Sequence, residues 1–512
     1  MMKYDVCTRI ATLFSFYGAV VAQDAPAPYL RVPSQRQLDW QRQELSGFLH
    51  FGPNTFTGEE WGRSQSLPDV FNPTDLDTDQ WAQVLAEAGM KGMILTAKHH
   101  DGMCLWNTST TTYKVANSAW AKRRGEAGPD ADIVRMAAGS AKKHGIKFGV
   151  YLSPWDIHRD PAMPKPGLEG TDYDEPQVFG DASPGDYNAL YIQQLTELVT
   201  MTLADGSVID LFEVWLDGAS GSDTAQTFDW TGFRDVIRRH QPGAVMWGHQ
   251  GPDARWVGNE DGFTLPTNWH AISRTQDEPH YAGEELELGV RDGRYWTPAE
   301  SDARIRDGWF YHADEPSKSG AALMDMYLKT VGRSVNLLLD VPPDARGRIA
   351  EVDAANLQEF ARLRNATLDR NVVTSDLKTL SSSVRGGNAD SYGPANVIDG
   401  RDNTYWTMDD GKTTGWVEID LGGVYCVDGF VVQEHIALGQ RIGGYAFDTT
   451  VNVGEYRTVL DNGTSMGYKR IDLLERAVET SGVRLRITQA NAVPLIQSLQ
   501  VLGETGNCTT RE

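Results

Sequence analysis

The sequence predicts an α/β protein in which a TIM-like (β/α)-barrel is followed by an all-β sandwich. Three observations carry that prediction. About eight short, β-rich apolar runs alternate with helical segments over the first two thirds of the 512-residue chain. Acids, histidines and tryptophans collect where those runs end, as expected when strand ends converge on one face. After about Asn371 the pattern changes to short strands separated by Gly/Asn/Asp turns. An open doubly wound sheet is the alternative for the first part, but no Gly-rich phosphate fingerprint follows the first strand.

The elements follow in order. Residues 34–46 are polar and helix-forming, and GFLHFGPNTFTGEEWG (Gly47–Gly62) holds the first strand and then a Gly/Pro-bearing loop with His50, Glu59, Glu60 and Trp61. A helix with Thr78 as N-cap carries Trp81, Val84, Leu85 and Ala88 as its apolar stripe. KGMILTAKHHDG (Lys91–Gly102) is a strand ending in two histidines and an aspartate. After a helix at Asp130–Lys143 comes IKFGVYLSPWD (Ile146–Asp156), stopped by Ser-Pro. A helix at Ala189–Leu203 leads into LFEVWLDG (Leu211–Gly218). With period two, Phe212, Val214 and Leu216 face outward, and Glu213, Trp215 and Asp217 inward. Trp230–His240 is a helix, AVMWGHQG (Ala244–Gly251) a strand and RWVGNEDG (Arg255–Gly262) a loop. YWTPAESD (Tyr295–Asp302) and GWFYH (Gly308–His312) are shorter strand candidates. A helix at Ala321–Gly332, a last buried strand in Ser334–Gly347 and a closing helix at Val352–Arg364 complete the unit.

The predicted domains are a signal segment at 1–22, the barrel at 30–370, the sandwich at 372–503 and a frayed tail at 504–512. The signal is read from Lys3 and Arg9 before the apolar run Ile10–Val21, with cleavage after Ala22, and it implies secretion. Sequons at Asn107, Asn365, Asn462 and Asn507 then become potential glycosylation sites. Without Cys7, the mature chain keeps Cys104, Cys426 and Cys508, an odd number that allows at most one internal bridge. A net charge of −23 argues against nucleic acid or an anionic membrane as partner. The charge suits a neutral ligand. The oligomeric state is not legible.

The strand-end residues are His50, Glu60 and Trp61; His99, His100 and Asp101; Trp155 and Asp156; Trp215 and Asp217; Glu260; and Glu300. Carboxylates, imidazoles and aromatics without a nucleotide motif describe a sugar site. Aromatic faces stack on the C–H side of a pyranose, while acids and imidazoles take its hydroxyls. A metal at His99-His100-Asp101 is disfavoured, because adjacent residues on a strand face opposite sides and no His-x-His or Glu-x-x-His partner is present.

The motifs HFGPNTFTGEEWG, TAKHHDGMCLW, FGVYLSPWD, EVWLDGA, RWVGNEDG, PAESDARIRDGWFYH and NLLLDVPPD together resemble α-L-fucosidases of glycoside hydrolase family twenty-nine. The resemblance implies a retaining fucosidase with Asp217 as nucleophile, and with the signal segment the reading is a secreted exo-fucosidase. The intact GNEDG resembles the branch acting on α-1,3/1,4-linked fucose, and places the acid/base on Glu260, with Glu300 as the competing candidate. It carries the fucose pocket to His50, His99, His100 and Trp215, then to Glu60, Trp61, Trp155, Asp156, Arg255, Glu300 and Trp309. A fucosidase of broader linkage specificity, or a catalytically silent fucose- or galactose-binding protein, is the alternative. The C-terminal NVIDGRDNTYWT, WVEIDLG and VRLRI resemble discoidin or factor five/eight type C modules. That resemblance implies structural support or glycan binding, with a structural calcium as the one possible bound ion and no catalytic cofactor.

Overall fold

The computed structural model describes residues 24–62, 67–125, 131–160, 184–221, 226–248, 252–273, 284–452, 455–506 and 508. The signal segment at 1–22, the end of AVMWGHQG and the Asn507 sequon lie outside them.

Among the described residues the first unit has ten short strands: β1 (Leu45–Leu49), β2 (Gly92–Lys98), β3 (Lys147–Leu152), β4 (Leu211–Leu216), β5 (Val245–Gly248), β6 (Arg255–Trp256), β7 (Ala271–Ile272), β8 (Tyr295–Trp296), β9 (Ala299–Arg304) and β10 (Asn336–Asp340). Eight of them form one parallel sheet in the order β5-β4-β3-β2-β1-β10-β9-β6. A parallel bridge between Trp247 and Ala254 joins β5 to β6 and brings the sheet's two edges together as a barrel. The helices outside start and stop on local chemistry. Asp132 caps Ile133–His144 through the Arg135 amide, and Asp229 caps Trp230–His240 through the Gly232 amide. Both helices end in basic residues, which favour the negative end of the helix dipole. Trp81 and Leu85 of helix Thr78–Glu87 are fully buried against the outer face of the barrel.

The structure corrects several local expectations. The sixth barrel strand is Arg255–Trp256, expected as loop, whereas Gly308–His312 is irregular. Tyr295–Trp296 pairs antiparallel with Ala271–Ile272 in a side hairpin, and only Ala299–Arg304 of that stretch enters the barrel. Asp77, not Thr78, caps its helix; the Thr78 hydroxyl pairs with Ser140 instead. Between β3 and β4 the register slips by one residue. Phe212 therefore joins the interior aromatic cluster rather than the outer shell.

The C-terminal unit is an antiparallel β-sandwich of β11 (Lys378–Ser381), β12 (Trp406–Thr407), β13 (Gly415–Glu434), β14 (Ile442–Asn452), β15 (Glu455–Gly463), β16 (Arg470–Ala490) and β17 (Leu495–Thr505). β13 runs unbroken through the Gly-Gly at 422–423, which lies at a register shift rather than a turn. Val431, Ile471 and Leu502 of this unit are buried in the barrel's own core cluster. Lys469 pairs with Glu44 at 2.5 Å, and Gln440 bonds both His270 and Asn268. The sandwich is thus packed onto the barrel. For the calcium that the resemblance allows, the described residues present no group of three His, Cys, Asp or Glu side chains able to hold an ion. Asp399 of NVIDGRDN spends its oxygens on Thr404 and the Arg401 amide.

Cys426 and Cys508 form a disulfide across 82 residues, while Cys104 is buried and free. The bridge ties down a segment expected to fray. Closing a loop of that length removes about 4 kcal/mol of denatured-state entropy. Cys426→Ser is therefore expected to destabilise the sandwich by up to about 4 kcal/mol. Denaturant unfolding of wild type and variant, without reductant, measures the difference.

Candidate active site

At the C-terminal mouth of the barrel lies a cavity of about 530 Å³, lined among others by His50, His99, His100, Tyr151, Trp215, Asp217, Glu260, Asp302 and Trp309. Asp217 follows the last residue of β4, so strand geometry carries it to the rim. Both its oxygens are fixed. Oδ1 accepts from the Ala219 amide at 2.8 Å and Oδ2 from the Tyr151 hydroxyl at 2.8 Å. His100 Nε2 stands 3.6 Å from Oδ2. The side chain is still 17% exposed, so a ligand can reach it.

The histidines are neutral hydrogen-bonding groups. Burial pushes His50 down to about 3 and His100 down to about 4, and it also lowers His99. His50 Nδ1 pairs with Asp340 Oδ1 at 2.8 Å. The Ser153 hydroxyl donates to the Trp155 carbonyl and so accepts from His100 Nδ1 at 2.7 Å. This places the proton of His100 on Nδ1 and leaves Nε2 as an acceptor. Such partners fix the ring orientations before any ligand arrives.

Trp215 packs face to face on Trp247 with centroids 3.4 Å apart, and its Nε1 donates to Glu300 at 3.0 Å. Trp309 leans on His50 at 5.0 Å. Trp61, 49% exposed, meets His100 and Trp155 edge-on at the rim.

Glu260 stands on the loop after β6. The Asn259 side chain turns that loop by accepting from the Asp261 amide, and Gly258 and Gly262 take left-handed φ values of 96° and 75°. An antiparallel bridge from Asp261 to Ala303 pins it to β9. Glu260 is 42% exposed, and its carboxyl is raised above the ordinary value by burial, with the charge of Asp217 adding to it. Arg304, 3.7 Å away, opposes that shift.

Other sequence candidates have different places. Glu300 is not on the cavity wall. It lies beneath Trp215 against Glu213, fully buried. Arg255 points away and donates to the carbonyls of Leu286, Thr297 and Trp269. Asp156 is buried behind the wall in an ion pair with Lys98, and Trp155 backs His100. Glu60 accepts from the Trp309 amide and from His312, both at 2.9 Å, and so holds the Trp309 loop. Tyr151, Trp247, Trp256 and Asp302 were not anticipated. Alternation on β9 could have found Asp302, which shares a strand face with Glu300; the other three have no suspected neighbour on the same face within their strands.

A fixed carboxylate, a second carboxyl whose pKa burial raises and a wall of neutral imidazoles and indoles suit a sugar ring and acid/base chemistry at its anomeric carbon. The comparisons agree. Residues 32–366 match the alpha-L-fucosidase family and residues 378–499 the F5/8 type C domain. The chain is 36% identical over 508 residues to alpha-L-fucosidase 1 of Arabidopsis thaliana, covering 95% of this chain and 93% of that one. A glycoside hydrolase family 29 fucosidase of Ruminococcus gnavus, solved in complex with fucose, superposes with a TM-score of 0.82 at 30% identity, covering 95% of this chain and 98% of that one. The solved structure of SpGH29 gives 0.81 at 31% identity over 94% and 100%. The chain belongs to the alpha-L-fucosidase family of glycoside hydrolases, and carries a C-terminal F5/8 type C domain.

Proposed function

We propose that the protein is a secreted, retaining exo-α-L-fucosidase acting on terminal α-1,3/1,4-linked L-fucose. The reading rests on one pairing in a single cavity: Asp217, held through both oxygens, and Glu260, a carboxyl whose pKa is raised above the ordinary value by burial. Asp217 Oδ attacks the anomeric carbon as the glycosidic C–O bond breaks, and Glu260 gives its proton to the leaving oxygen. Water then attacks the same carbon and the ester bond to Asp217 breaks. Glu260 takes the water proton, and fucose leaves with its configuration retained. Neutral His50, His99 and His100 take the hydroxyls, while Trp215 and Trp309 offer faces to the ring and its methyl group.

The intact GNEDG loop around Glu260 supports the linkage preference. Comparing an aryl fucoside, a Lewis trisaccharide and an α-1,2-fucosylated glycan tests it. Secretion is supported by the N-terminal signal pattern, the Cys426–Cys508 disulfide and the exposed Asn365 and Asn462 sequons.

The acid/base assignment predicts the behaviour of Glu260→Ala. Its activity on an aryl fucoside should fall about 10²–10⁴-fold, and azide should restore turnover as the α-fucosyl azide, because azide attacks the fucosyl-enzyme without needing a base. Rescue of Glu300→Ala instead would move the role to Glu300.

A further inference from the structure

Arg304 is the last residue of β9, half-buried behind Glu260 and Trp309 of the cavity wall. Its guanidinium carbon lies 5.1 Å from the Trp309 ring centroid, and Nη2 is 3.7 Å from Glu260 Oε2. That is ion-pair range but too long for a hydrogen bond, so Arg304 acts on Glu260 through charge and does not lock it. We infer that Arg304 is the positioning residue of the second half-reaction, holding Glu260 as a carboxylate while water attacks the fucosyl-enzyme. The inference rests on Glu260 being the acid/base.

The charges around Glu260 change during the cycle. In the free enzyme it faces Asp217, His50, Asp261 and Arg304, and Asp302 lies on the same strand as Arg304. The Asp217 charge pushes the Glu260 carboxyl upward, in the direction the proton-donating first step requires. When Asp217 becomes an ester, that charge is gone, and neutral His50 puts nothing in its place. Arg304 remains. Its positive charge then acts with less opposition and favours the carboxylate that must take a proton from water. The stack on Trp309 keeps the guanidinium beside Glu260 through both steps, and the Glu60 carboxylate fixes the loop that carries Trp309.

The test compares Arg304→Gln and Arg304→Lys with wild type, using an aryl fucoside with a good leaving group. With such a substrate, loss of the fucosyl-enzyme limits kcat, while kcat/KM reports its formation. Arg304→Gln is expected to lower kcat about tenfold and kcat/KM by no more than about threefold, with a burst of phenol showing the accumulated intermediate. Removing the cation raises the Glu260 pKa. The alkaline limb of kcat/KM, where the acid is lost, therefore moves to higher pH by about one unit. The acid limb of kcat, where the base is lost, moves up with it. Arg304→Lys, which keeps the charge, is expected to restore kcat to within about threefold. Equal losses in kcat and kcat/KM with both limbs unmoved would overturn the inference, as would a lysine variant no better than glutamine. Failure of azide to rescue Glu260→Ala would instead sink the underlying assignment of Glu260, whatever the Arg304 variants do.

Discussion

Asp217→Ala is expected to lower kcat on an aryl fucoside by at least about 10⁴-fold with little change in KM, because the lost bond forms only on the way to the transition state. The fold should survive. Asp217 is at the rim and 17% exposed, and the Tyr151 hydroxyl and His100 that face it open onto the same cavity and can turn to water. A melting temperature within a few degrees of wild type separates lost chemistry from lost structure. The cavity left by the carboxylate also makes the variant a test of stereochemistry. Azide entering there attacks the anomeric carbon directly and inverts it, giving the β-fucosyl azide. Glu260→Ala is expected to give the α anomer, because azide meets the Asp217 ester from the opposite face. Opposite anomers from the two variants would fix both roles with one NMR measurement. Residual activity within tenfold of wild type would place the nucleophile elsewhere.

What was legible in the sequence was local in the chain. Asp217 stands out because a β-forming run, an acid and a glycine are contiguous; His50, His99 and His100 stand out in the same way, and all four line the cavity. The sandwich shows as a change of pattern. What was missed depends on parity and depth. Arg255 and Trp256 form a two-residue strand, and nothing in that dipeptide says which side chain enters the barrel. The indole lines the cavity, and the guanidinium satisfies carbonyls outside it. Glu300 and Asp302 share a strand face, so parity cannot separate them. Depth does, since Asp302 reaches the cavity wall and Glu300 lies below Trp215. Depth follows from the pairing of β9 with β10, whose partners are distant in sequence. Phe212 was misplaced for a related reason, because a one-residue slip against β3 moves it to the other face. Glu260 was singled out by its loop motif and lies on the cavity wall, but its electrostatic setting was not legible, because Arg304 arrives from a different strand.

Glu300 carries the second large expected effect, and with it Glu213, which the sequence alone left without a role. Both carboxyls are buried in the barrel interior. Trp40 Nε1 donates to Glu213 Oε2 at 2.7 Å, and Trp215 Nε1 donates to Glu300 Oε1 at 3.0 Å. Glu213 Oε1 has no hydrogen-bond partner unless a proton lies between the two acids. Burial raises Glu213 to about 8, and burial together with the Glu213 charge raises Glu300 as well. The pair is therefore a protonated clamp that holds Trp215 under the sugar site. Glu300→Ala removes the clamp, leaves an indole N–H unpaired in the interior and opens a void. The expected cost is about 3 kcal/mol of stability, with kcat/KM lower by roughly 10²-fold as Trp215 shifts. Glu300→Gln keeps an acceptor for Trp215 and a donor for Glu213, and should keep most of the activity. The pH dependence gives the sharper check. Carboxyls whose folded pKa is raised hold protons that the unfolded chain has already released, so they favour folding fully only below about 4.5. From there up to about 8 each retained proton costs about 1.4 kcal/mol per pH unit. Glu300→Gln removes one such group, so its melting temperature should fall less steeply than that of wild type between pH 5 and about 8. Parallel curves would mean that Glu300 is ionised in the folded protein, with Glu213 alone holding a proton, and Trp215 would then be held by charge rather than by a neutral carboxyl pair.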